Sequence, residues 1–78
     1  MGKITLKMPK AAVSMQEGVL SEWLAEDGTL VTLGQPVFAI ETDKSTLEIE
    51  CPFAGKLTHI ARIGETYRVG EPIAIIVQ

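Results

Sequence analysis

Apolar positions along the chain fall into short runs, each closed within a few residues by Gly, Pro or Asp. No segment of a dozen residues carries a 3.6-residue apolar stripe without a Gly or Pro interrupting it. The nearest approach to a helix, residues 19–27, is short and closes on Gly28. The pattern is extended elsewhere. Residues 4–8, 19–25, 37–42, 46–51, 56–61 and 73–77 read as strands, and 29–32 and 66–68 as two very short ones. About eight strands and no helix predict an all-β domain, a sandwich or flattened barrel.

The stretch VFAIETDKSTLEIEC, residues 37–51, allows a register to be derived. With Asp43 and Lys44 as a two-residue hairpin loop, Thr42 faces Ser45, Ile40 faces Leu47 and Phe38 faces Ile49. Phe38, Ile40, Leu47, Ile49 and Cys51 then share one face. Glu41, Thr46, Ala39, Glu48, Val37 and Glu50 share the other, so every strand charge falls on the solvent side. A slip of one residue would mix glutamates with the core set, which places Lys44 at the tip. Local residues leave two readings open for it. Either it is an ordinary solvated turn lysine, or a rigid sheet presents one amine to a modifying enzyme.

An internal repeat supports the β reading. GVLSEWLAEDGTLVTLGQPVFAI, from Gly18, aligns with GKLTHIARIGETYRVGEPIAII, from Gly55, once one residue is deleted from the second copy. Gly18 matches Gly55, Leu20 Leu57, Gly28 Gly64, Gly34 Gly70 and Pro36 Pro72. The matched glycines predict matched turns with φ > 0 and two similar half-domains of four strands each. The repeat offset of about 36 residues carries Lys44 just past Gln78, so the lysine tip is expected to map onto the chain terminus.

Composition narrows the function classes. A chain of 78 residues does not divide its apolar residues between two cores, so residues 1–78 are expected to form one domain. At 46% hydrophobic and 22% charged it lies outside the disordered class. A formal charge of −3, with Lys and Arg unclustered, offers no field to a phosphate backbone, so no nucleic-acid partner is expected. The single cysteine, Cys51, cannot close an internal disulfide, which fits a reducing interior such as a bacterial cytoplasm or an organelle matrix. No apolar stretch is long enough for a bilayer span, and Leu6 breaks the myristoylation pattern after Gly2, so no membrane partner is expected. The apolar run before Gln78 fits a domain cut from a longer protein.

Other candidates carry less. His59 has no second ligand at metal-binding spacing and reads as a half-exposed strand histidine. Cys51 reads as a small core residue, and Trp23 and Phe38 as packing residues. Ser14, Ser21 and Ser45 stand in no hydrolase motif.

The segment ETDKSTLEIECPFAGKL, with the upstream MQEG and GQPV, resembles the lipoyl domain of the dihydrolipoamide acyltransferase component of 2-oxo acid or acetoin dehydrogenase complexes. The resemblance covers essentially the whole chain. It implies a fold of two four-stranded antiparallel sheets related by a pseudo-twofold, a barrel-sandwich hybrid. It implies that Lys44 carries lipoic acid in amide linkage, with Glu41, Asp43 and Ser45 as recognition positions, on a carrier that is not itself an enzyme. The implied partners are a lipoate ligase or lipoyl transferase, a thiamine-diphosphate-dependent dehydrogenase component, the acyltransferase core and dihydrolipoamide dehydrogenase. The implied location is a bacterial cytoplasm or the mitochondrial matrix. KAAVSMQEG departs from the commoner openings of the family, and Ser45 stands where alanine is frequent. Related biotin-carrying domains set their lysine between two methionines, whereas Asp43 and Ser45 flank it here. A biotin carrier and a non-enzymatic β-sandwich interaction module are the alternatives. Glu41, Asp43, Glu48 and Glu50 read equally as a docking set for basic partners or as a solvated strand face.

Overall fold

Strand patterning and turn glycines set out the architecture. The computed structural model describes residues 2–10 and 14–78; residues 11–13 of KAAVSMQEG lie outside that description. Eight strands follow one another: β1 (Lys3–Lys7), β2 (Glu17–Trp23), β3 (Leu30–Val31), β4 (Pro36–Glu41), β5 (Thr46–Glu50), β6 (Gly55–His59), β7 (Thr66–Arg68) and β8 (Pro72–Val77). Each expected strand is present, with ends moved by no more than two residues. They form two antiparallel four-stranded sheets, ordered β1-β8-β6-β3 and β5-β4-β2-β7. Both sheets keep two edges, so the fold is a flattened sandwich and not a closed barrel.

Sequence pattern explains strand position. TLEIE in β5 alternates exposed and half-buried residues, as suits an edge strand with one face in water. PVFAIE in β4 and PIAIIV in β8 are nearly continuous apolar runs, and both lie inside their sheets.

Hydrogen bonds trace the pseudo-twofold. Gly28 N donates to Leu57 O (2.7 Å) and Gly64 N to Leu20 O (2.7 Å); Gly34 N donates to Cys51 O (2.8 Å) and Gly70 N to Met8 O (2.9 Å). The core repeats the relation, with Leu20 and Leu57, Val37 and Ile73, and Ile40 and Ile76 all fully buried. By the same operation β5 corresponds to β1.

Two expectations are corrected. Gly28, Gly34, Gly64 and Gly70 have φ between 83° and 95°, but Gly18 and Gly55 do not have positive φ. Their glycines meet a different need, close approach. A Cβ on Gly55 would lie 2.6 Å from Ile76 Cγ2 and 2.7 Å from the Val77 carbonyl oxygen, and one on Gly18 would lie 3.1 Å from Met15 Cε. Val37 and Ala39, assigned to the solvent face, are buried. The β4–β5 register shifts between Pro36 and Phe38, a bulge that turns Val37 inward with Phe38. Ala39 keeps its alternation, but it is paired between Glu22 and Glu48, whose longer side chains flank so small a residue.

The twofold separates two ends of the molecule. Val31 pairs with Gly55 and Lys56 with Val77, so the tight turn leading into β4 lies beside the end of β8. Strand β4 then runs away from that point to the 42–45 tip. Its counterpart is the contact from Gln78 N to Gly2 O (2.9 Å), at the opposite end of a body 35 Å long.

Candidate functional site

The β4–β5 hairpin has the register derived from its glutamates. Phe38 pairs with Ile49, Ile40 with Leu47 and Glu41 with Thr46. Beyond the last pair, Thr42 N donates to Ser45 O (2.8 Å), leaving Asp43 and Lys44 as the loop. Neither has positive φ, so the turn is neither of the primed types that two-residue hairpin loops favour. A side chain closes it. Thr42 Oγ1 accepts from Ser45 N (3.2 Å) and from Lys44 N (3.3 Å) and donates to Ser45 O (3.0 Å).

Asp43, Lys44 and Ser45 are all exposed, while Thr42 is half-buried. Among the described residues the Lys44 ammonium has no hydrogen-bond or ion-pair partner. Beside the tip is a cleft of about 200 Å³ lined by Ser14, Met15, Leu47 and residues 42–45. The other lysines are placed differently. Lys3, Lys7 and Lys56 lie in β1 and β6, and Lys10 follows β1.

Of the acidic residues singled out, Glu41 ends β4 and Glu48 and Glu50 lie on β5, all exposed. Charge divides between the sheets. The strands of the lysine-bearing sheet hold Glu17, Glu22, Glu41, Glu48 and Glu50 against Arg68 alone. The strands of the other sheet hold Lys3, Lys7 and Lys56 and no acid. The acids that lie in strands therefore share the sheet that carries the tip, which sequence order alone did not reveal.

The remaining candidates are packing groups. Cys51 is buried, its thiol 2.7 Å from Phe53 O. Ser21 Oγ donates to Ala39 O (3.1 Å). The half-buried His59 stacks on Trp23 with centroids 3.6 Å apart and rings 8° from parallel, and its Nε2 lies 2.9 Å from Ala25 O. Trp23 in turn meets Phe38 edge to face at 5.7 Å. Among the described residues no three His, Cys, Asp or Glu come together as metal ligands would. Sequence reading passed over Thr42. A hydroxyl residue directly before a two-residue loop was the available signal.

Residues 4–76 match the biotin/lipoyl family, described as biotin-requiring enzyme. The chain belongs to that family. Within it, the chain is 40% identical over 75 residues to the dihydrolipoyllysine-residue acetyltransferase component of the acetoin cleaving system of Pseudomonas putida, covering 95% of this chain and 20% of the relative. It is 38% identical over 77 residues to the pyruvate dehydrogenase E1 component subunit beta of Rhizobium meliloti (strain 1021), covering 96% of this chain and 17% of the relative. The chain thus spans about a fifth of the length of these curated relatives. Among solved structures, the lipoyl domain of the 2-oxoglutarate dehydrogenase complex from Azotobacter vinelandii superposes with a TM-score of 0.78 at 25% identity, covering 96% of both chains. The family fold is the two-sheet sandwich described above.

Proposed function

We propose that this chain is a lipoyl carrier domain, with lipoic acid in amide linkage to Lys44 Nζ, serving a 2-oxo acid or acetoin dehydrogenase complex. The observation that carries the reading is the position of Lys44. Of the lysines named above it alone sits in a two-residue loop, exposed and unpartnered, at the end of a hairpin rooted in the core. An amide-forming enzyme needs an amine that it can reach and that no ion pair holds back. Lys44 meets both needs. The flanking Asp43 and Ser45 favour lipoate over biotin, which goes with methionine neighbours in related domains.

When bound, the dithiolane supplies a disulfide that can be reductively acylated at one active site, give its acyl group to coenzyme A at a second and be reoxidised at a third. The protein's part is placement. Tethering the reactive group to a compact body replaces free diffusion by a high effective concentration at each site. Gln78 lies at the end opposite Lys44, which leaves the tip free to enter a partner's active-site channel. Amide formation also removes the Lys44 charge, taking the domain one unit below its formal −3. The tip then lies on a sheet whose strands carry mainly acids, and Glu41, Asp43, Glu48 and Glu50 steer it toward basic rims on the partner enzymes. Those partners are a lipoate ligase or lipoyl transferase, the thiamine-diphosphate-dependent component, the acyltransferase core and dihydrolipoamide dehydrogenase. A bacterial cytoplasm or mitochondrial matrix would house them.

The test is reductive acylation. Lipoylated domain is incubated with thiamine-diphosphate-dependent components acting on pyruvate, 2-oxoglutarate, branched-chain oxo acids or acetoin, each with labelled substrate. Wild type should acquire label from at least one component and Lys44→Gln from none. Label on Lys44→Gln, or none on lipoylated wild type with any component, would overturn the proposal.

A further inference from the structure

The two-residue loop at the tip poses a geometric problem. Primed turns match the right-handed twist of the flanking strands, whereas turns without positive φ splay them. Asp43 and Lys44 both keep negative φ, yet the hairpin stays paired up to the bond from Thr42 N to Ser45 O (2.8 Å). In a hydrogen-bonded β-turn the fourth residue's amide donates to the first residue's carbonyl. Here the Ser45 amide donates to Thr42 Oγ1 (3.2 Å), the Lys44 amide reaches the same oxygen (3.3 Å), and the hydroxyl proton goes to Ser45 O (3.0 Å).

We infer that Thr42 is a positioning residue for modification of Lys44: its hydroxyl takes the place of the turn carbonyl and holds the lysine backbone in the orientation that a lipoate ligase reads. This rests on the carrier reading above. The pseudo-twofold supplies an internal contrast. The equivalent contact, from Gln78 N to Gly2 O, joins two separate strand ends with no loop between them, and the position matching Thr42 is Gln78. The hydroxyl therefore appears at the end where a loop must be shaped. Thr42 is also half-buried beside three exposed neighbours, which gives its side chain a fixed direction.

Thr42→Val keeps the β-branched shape and removes the hydroxyl, and Thr42→Ser keeps the hydroxyl. With the cap gone, the tip samples open arrangements. Only the closed fraction is recognised, so KM for the domain should rise by the inverse of that fraction with kcat unchanged. Loss of the bonds to one oxygen corresponds to a rise of about tenfold. Lipoylation by an ATP-dependent lipoate ligase is measured on wild type, Thr42→Val, Thr42→Ala and Thr42→Ser, together with amide exchange at Lys44 and Ser45. The expected result is a raised KM and faster exchange for Val and Ala with a thermal midpoint lowered by no more than about 10 °C, so that both stay folded in the assay, and near wild-type values throughout for Ser. A KM for Thr42→Val within about twofold of wild type, or Thr42→Ser as impaired as Thr42→Val, overturns the assignment. Wild type that is never modified at Lys44 overturns the carrier reading itself, so the two failures are distinguishable.

Discussion

Replacing Gly55 by alanine tests the close approach of β6 to β8 most sharply. The added Cβ would lie 2.6 Å from Ile76 Cγ2, 2.7 Å from Val77 O and 3.1 Å from Val77 C. Two of those atoms are backbone of the neighbouring β8, and Ile76 is fully buried, so nothing moves aside by rotamer change alone. Overpacking of this kind costs about 1–3 kcal/mol, and the backbone contact puts Gly55→Ala near the upper end, about 2–3 kcal/mol. For a domain of this size that lowers the thermal midpoint by roughly 10–20 °C. Gly18→Ala is the matched control. Its first contact is the end of a flexible side chain, Met15 Cε at 3.1 Å, with Glu41 O at 3.5 Å. Relief there, together with the reduced entropy of the unfolded chain, keeps the change within about 1 kcal/mol. Gly34→Ala separates conformation from space. Nothing lies within 4 Å of its Cβ position, but φ is 83°, which costs a side chain about 1–2 kcal/mol. Thermal denaturation followed by circular dichroism should therefore rank the losses Gly55, Gly34, Gly18. A Gly55→Ala midpoint within about 3 °C of wild type, or a larger loss for Gly18→Ala, would refute the reasoning.

His59→Ala removes the stack on Trp23 and the contact with Ala25 O, which together contribute about 2 kcal/mol. The midpoint should fall by roughly 10 °C and the emission of Trp23 should shift as its ring is uncovered; an unchanged midpoint would show that the stack is incidental. Exchanging Asp43 and Lys44 moves the amine to the first loop position, which points elsewhere, so lipoylation should be lost, while Asp43→Ala should still be modified. Robust modification of the exchanged variant would mean that the ligase does not read position.

Much of the fold was legible because the polar residues alternate where it mattered. Glu48 and Glu50, with Glu41 across the loop, allow only one register, and the register brings Lys44 to the tip. Val37 was misplaced for a physical reason. A bulge adds one residue without changing the apolar run VFAI, so period-two counting carries past it unaware. The repeat made the glycine pairs visible but not their cause. Positive φ and lack of room for a Cβ both demand glycine, and only the approach of β8 to Gly55 tells them apart. The stack of Trp23 on His59 joins strands of different sheets, a contact that local pattern does not encode. The division of charge needed the strand order, since acidic and basic strands interleave along the chain. Thr42 was hidden differently, because its role depends on the backbone of the loop it closes.

The central claim is that one lipoyl group is attached at Lys44. Expression in a host that supplies lipoate and its ligase, followed by intact mass measurement and peptide mapping, tests it directly. The account predicts a single lipoyl increment, carried by the peptide containing Lys44, with Lys3, Lys7, Lys10 and Lys56 unmodified. A biotinyl increment, a lipoyl group on Lys56, or no increment in the competent host would contradict it.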